Sequence, residues 1–203
     1  MPPDEISRRA VIASAALVPV AALTAAAQTT TAPSALTDAQ LRLLAALVDR
    51  IIPKDELGPS ASECDVPVYI NRSLGDYLAA EKGAFIEGLE STDAFARRSQ
   101  GRAFIDLTPE KQDAVLTSMD NGTADGFPNA RAFFTRARRL TLEGMFGDPY
   151  YGGNKNFAGW DLIKYPGPRL ATSADDQKMG VEIKPYHHSA YSAGGGASGE
   201  HGH

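Results

Sequence analysis

The sequence predicts an all-α protein: a small bundle of about five helices, then a long aromatic and glycine-rich irregular segment, then a flexible tail. Three observations carry this. Apolar residues recur at three- and four-residue spacing in five stretches, capping residues, prolines and glycines bound those stretches, and the Val/Ile/Thr alternation of a half-buried strand is missing throughout.

The first helix is expected over about 37 to 52. Thr37-Asp38-Ala39-Gln40 reads as a capping box, with the Thr37 hydroxyl set to accept the Gln40 amide N–H and the Gln40 side chain able to reach back. Leu44, Leu47, Val48, Ile51 and Ile52 then share a face until Pro53 stops the pattern. Pro67 can open a second helix in which Ile70, Leu74, Tyr77 and Leu78 share a face. A third, about Ala80 to Ala96, turns Phe85, Ile86, Leu89 and Phe95 inward. Thr108-Pro109-Glu110 supplies a cap and a first-turn proline for a fourth, which buries Val115, Leu116 and Met119 before Asn121-Gly122 ends it. The fifth, about Asn129 to Met145, has a broad apolar side of Phe133, Phe134, Ala137, Leu140, Thr141 and Leu142.

The two ends read differently. Ser7-Arg8-Arg9 precedes an uncharged run from Ala10 through Ala27 that closes on the small-residue pattern Ala25-Ala26-Ala27, and the next charge after Arg9 is Asp38. This is the pattern of a secretory signal with a twin-arginine motif, Arg8 and Arg9, cleaved beside Ala25 and Ala27. An alanine-rich run interrupted by Pro19 makes a poor membrane anchor. The expected organisation is a signal peptide over 1–27, a linker over 28–36, the helical domain over 37–169 and a low-complexity tail over 170–203. About 140 residues remain between the ends, enough to bury roughly two-thirds of the unfolded chain's surface.

Composition excludes much. A net charge of −5 argues against a nucleic-acid partner, which favours a basic face. Histidine occurs only at His187, His188, His201 and His203, all in the tail, so the helical region holds no imidazole to serve as general base or metal ligand. Cys-x-x-Cys-His, Gly-x-Gly-x-x-Gly and phosphate-loop patterns are absent, and no catalytic, cofactor-binding or metal-binding residue is assigned. The lone Cys64 is either a buried thiol or an intersubunit one, because it has no partner within the chain. Glu143 and Asp148 stand at the exit of the fifth helix, where acids need basic compensation, and Arg136, Arg138 and Arg139 are the candidates.

The segment Phe146 through Ile163 is the most unusual in the chain, with five aromatics and four glycines. Aromatics give large contact area at low rotamer cost, and glycine permits close approach and positive φ, so the segment is suited to presenting a surface. Leu140-Thr141-Leu142-Glu143-Gly144-Met145-Phe146-Gly147-Asp148-Pro149-Tyr150-Tyr151-Gly152-Gly153-Asn154, then Gly159-Trp160-Asp161-Leu162-Ile163 and Tyr165-Pro166-Gly167-Pro168, resembles the signature of the gluconate 2-dehydrogenase small-subunit family. The likeness runs from about Leu36 to Arg169 and takes in the Leu36-Thr37-x-x-Gln40 opening and the Ile51-Ile52-Pro53 ending of the first helix. Lys164 departs from it, standing where the family often has glycine.

The resemblance implies a non-catalytic small subunit, the gamma chain of a membrane-associated sugar or sugar-acid dehydrogenase. It implies a large-subunit partner that carries FAD and is of the glucose-methanol-choline type, with a cytochrome c subunit carrying haem c where a third chain is present. It further implies periplasmic location, with the small subunit's signal delivering the folded pair to the twin-arginine translocase. Phe146, Tyr150, Tyr151, Phe157, Trp160 and Asp161 are the expected partner interface. The alternative reading is a free-standing periplasmic carbohydrate-acting enzyme, with Glu143, Asp148 and Asp161 forming an acid/base site among aromatics that stack on a sugar.

Overall fold

The computed structural model describes residues 34–169, 171–181 and 183–191. The signal pattern, with Arg8, Arg9, Ala25 and Ala27, lies outside the described residues, as do His201 and His203.

α1 (Asp38–Ile51) starts with the reciprocal capping box: the Gln40 N–H donates to Thr37 Oγ1 at 3.3 Å, and the Thr37 N–H donates to Gln40 Oε1 at 3.0 Å. Leu44, Leu47 and Val48 on its inner face are fully buried. α2 (Val66–Gly75) has proline in its first turn and buries Tyr69, Ile70 and Leu74. Tyr77 does not extend that face. The helix ends at Gly75, and Tyr77 stands exposed beyond it with its hydroxyl 2.9 Å from the Tyr69 hydroxyl.

A 3-10 turn (Ala79–Glu81) leads into α3 (Lys82–Gln100), which runs four residues past the expected end before Gly101 closes it at φ 78°. α4 (Pro109–Asn121) stops at Gly122, φ 71°, as its sequence predicts. Its Thr108 takes the N-cap position and backbone conformation, but the hydroxyl makes no capping bond to the backbone. α5 (Ala130–Phe146) is the central element and packs against α1, α2, α3 and α4. Phe133, Ala137, Leu140 and Met145 fill its inner face, whereas Leu142, expected inside, is exposed at the opposite edge of the helix. Thr141 is buried with its hydroxyl donating to Ala137 O at 2.8 Å, which satisfies it within the helix.

No strand occurs among the described residues, and the all-α expectation stands. Among the described residues the α-helix count rises to six because the supposedly irregular segment contains a short α6 (Ala158–Leu162), preceded by two 3-10 turns (Pro149–Tyr151 and Lys155–Phe157). An ion pair in bidentate geometry, Arg50 to Asp113 at 2.7 and 2.8 Å, ties α1 to α4. The tail also departs from expectation. Tyr186 donates its N–H to Pro166 O at 2.9 Å, and residues 186–191 run back over the segment that follows α5.

Candidate partner interface

The segment after α5 is a clasp folded against the end of that helix, and the reason lies in the carbonyls a helix C-terminus leaves without partners. Trp160 Nε1–H donates to Phe146 O at 2.9 Å, and Asn154 Nδ2–H donates to Gly147 O at 2.8 Å. Asn154 is fully buried, and its Oδ1 accepts the Gly159 N–H at 2.8 Å, so one side chain joins the helix end to α6. The glycines make this approach possible. A Cβ on Gly153 would collide with Gly144 O, and one on Gly159 with Met145 O; on Gly144 it would lie 2.8 Å from the Tyr69 ring.

Backbone conformation completes the clasp. Asn154, Asn156 and Phe157 all have positive φ (47°, 56° and 62°), a conformation asparagine tolerates and a bulky aromatic rarely adopts. Tertiary packing holds Phe157 there. Its ring sits 5.2 Å from Trp160, which in turn meets Tyr165 edge-on at 5.0 Å. Lys164, flagged by sequence, also has positive φ, 55°, which gives the physical reason glycine suits that position.

These contacts divide the expected interface residues into two sets. Trp160 is only 4% exposed, so it is a structural pin of the clasp and not a residue presented to a partner; its indole N–H is already used on α5. Phe146 and Phe157 are half-buried. Tyr150 and Tyr151 are 58% and 44% exposed and pack edge-to-face at 5.3 Å, beside exposed Ile163 and Tyr165. A cleft of about 370 Å³ opens between Tyr151 and the end of α6, lined by Phe146, Asp148, Ile163, Tyr165 and, from the tail, Tyr191 among others.

The carboxylates of the alternative reading are each engaged elsewhere. Glu143 accepts from Arg139 at 2.6 Å and from the Tyr69 hydroxyl at 3.1 Å; of the three arginines proposed to compensate it, Arg139 does so, while Arg136 pairs with Glu81 across to the turn before α3. Burial, the Tyr77 hydroxyl and the Glu143 charge together push the Tyr69 phenol well above its ordinary range, so it stays a neutral donor. Asp148 caps the first 3-10 turn by accepting the Tyr150 N–H at 2.9 Å, and Asp161 meets His187 at 2.7 Å. Of these three acids only Asp148 lines the cleft, so the proposed acid/base site does not assemble there.

Of the two places expected for Cys64, the structure shows the buried one. It is free and buried, and burial raises its thiol pKa, so it is not placed to reach another chain. Among the described residues no group of three or more His, Cys, Asp or Glu is arranged to hold a metal ion. Sequence reasoning missed Asn154, whose position after Gly152-Gly153 was the available signal for a left-handed turn, and the tail aromatics His187 and Tyr191, which stood out from their Gly/Ser surroundings.

Compared with known proteins, residues 38–167 match the family model described as gluconate 2-dehydrogenase subunit 3. No curated protein and no solved structure gives a significant match.

Proposed function

The chain belongs to the gluconate 2-dehydrogenase subunit 3 family, and from that premise we propose that it is the non-catalytic small subunit that stabilises an FAD-dependent sugar or sugar-acid dehydrogenase. A family described as a subunit implies a dehydrogenase partner. The observation that carries the reading further is the outer face of the clasp. Tyr150, Tyr151, Ile163 and Tyr165 are all substantially exposed on the family-matched part of the chain, and rigid exposed aromatics of this kind are the side chains that anchor protein interfaces. The clasp fixes them from behind through Trp160 and Asn154.

The finer reading places the partner in the glucose-methanol-choline class, with FAD bound in that subunit and haem c in a cytochrome subunit where one is present. It places the complex in the periplasm, delivered folded through the twin-arginine route by the signal at Arg8 and Arg9. Export of a folded pair suits a flavoprotein, because flavin is inserted before translocation.

Co-expression of this chain with an FAD-dependent dehydrogenase large subunit from the same organism tests the assignment. Tyr150→Ala with Tyr151→Ala should release the flavoprotein from the tagged small subunit while the flavin spectrum of the large subunit is unchanged; retention of a full-strength complex would refute the interface. Arg8→Lys with Arg9→Lys should leave both chains and the dehydrogenase activity in the cytoplasm. Recovery of both chains at one-to-one stoichiometry after export would distinguish a resident subunit from an escort released after translocation.

A further inference from the structure

The outer face of the clasp is not bare in the free chain. Tyr191 packs tilted against Tyr150 at 5.0 Å and edge-on to Tyr151 at 5.4 Å, His187 lies flat on Phe157 at 4.9 Å with 3° between the rings, and His187 Nε2 is 2.7 Å from Asp161 Oδ1. Between them the Ala190 N–H donates to Asp148 Oδ2 at 2.8 Å. The backbone is seated as well: Gly167 is so close to Tyr186 O that a Cβ there would collide with it. Four of the residues expected to meet a partner, Tyr150, Tyr151, Phe157 and Asp161, are therefore each met by the chain's own residues 187 and 191. This strap lies beyond residue 167, where the family match ends.

We propose that residues 186–191 form a strap that occupies the docking surface in the free subunit and is displaced by a segment of the dehydrogenase subunit on assembly. The proposal rests on the docking reading above. The strap also defines what the surface recognises: a peptide that places one ring on the Tyr150–Tyr151 pair, a backbone N–H on Asp148 and, four residues before the first ring, a flat N–H-bearing ring against Phe157 and Asp161. A closed strap costs the partner affinity in proportion to the fraction of chains in which it is open, and it covers apolar surface until the partner arrives.

Two measurements on the full chain and its co-expressed flavoprotein subunit test this. His187→Ala with Tyr191→Ala removes all three ring contacts of the strap and none internal to the clasp, and should tighten binding at least about tenfold, since each aromatic pair contributes on the order of a few-fold to tenfold. Unchanged or weaker binding, with the partner still held, would overturn the strap and leave the docking surface standing. Adding Tyr150→Ala in that doubly substituted background isolates the partner's own contact, and no loss of binding there would overturn the docking reading and the strap with it. In the unsubstituted chain, hydrogen exchange over 186–191 should speed up when the complex forms; slower exchange on assembly would show the strap to be part of the interface and would refute displacement.

Discussion

Asn154→Ala is the sharpest test of the clasp, because a single buried side chain joins α5 to α6 there. The substitution strands the Gly147 carbonyl and the Gly159 N–H, both paired at 2.8 Å by Asn154. Leaving a buried polar group without a partner costs about 1–3 kcal/mol each. Alanine is also strained at the φ of 47° that Asn154 adopts, by roughly 1 kcal/mol more. The sum, about 3–7 kcal/mol, is a large share of a stability expected at about 5–15 kcal/mol. Trp160 is the only tryptophan and sits inside the clasp, so its emission follows this segment alone while far-ultraviolet circular dichroism follows the helices. Asn154→Ala should move the tryptophan urea transition well below the helical one and shift the native emission to the red. Asn154→Gly should be less harmful by about 1 kcal/mol, since it loses the hydrogen bonds but not the backbone fit. A tryptophan transition displaced by less than about 1 kcal/mol in Asn154→Ala would refute the claim that these two bonds hold the clasp.

Three further outcomes follow from the geometry. Lys164→Gly should raise stability by about 0.5 kcal/mol in thermal melts, the relief of a left-handed residue at φ 55° exceeding the entropy glycine adds to the unfolded chain; a net loss would show that the lysine side chain contributes more than its backbone costs. Arg50 holds the Asp113 carboxyl below the usual carboxylate value, so this pair's contribution is fully present above about pH 4 and is lost as pH falls through the lowered value. Asp113→Asn should therefore cost about 0.5–1 kcal/mol at pH 7 and less as the pH is taken progressively below about 4, as read from urea titrations along that series. Cys64 should resist a thiol reagent in the native protein and react at the rate of unfolding, whereas immediate labelling would place it at the surface.

The helices were legible because their signals are local. Thr37 and Gln40 close the capping box whatever the rest of the chain does, and Pro109 and Gly122 mark boundaries through their own backbone preferences. Periodicity failed at helix edges for a different reason. Tyr77 matches the face of α2 by spacing, but Gly75 ends the helix first; Leu142 matches α5, but no neighbouring element covers that edge. The order in the tail was invisible because it rests on isolated contacts, the rings of His187 and Tyr191 and the backbone N–H groups of Tyr186 and Ala190, and not on any repeating pattern.

The clasp shows why an aromatic, glycine-rich composition signals an interface without saying which residues face out. In a helix or strand a fixed period assigns sides, but from Gly152 to Phe157 φ is positive at 152, 154, 156 and 157, and each such residue resets the direction of the next side chain. Sides are then decided by what α5 requires. Its terminal carbonyls need donors, and the donors with the right reach are the indole of Trp160 and the amide of Asn154, which are drawn inward together with the glycines that admit them. Tyr150 and Tyr151 are left on the far side of the turn that Asp148 caps. Their exposure is thus a consequence of helix capping next door, and it persists only while the cap does. Loss of Asn154 should accordingly weaken partner binding as well as the clasp, although Asn154 itself is too deeply buried to touch a partner.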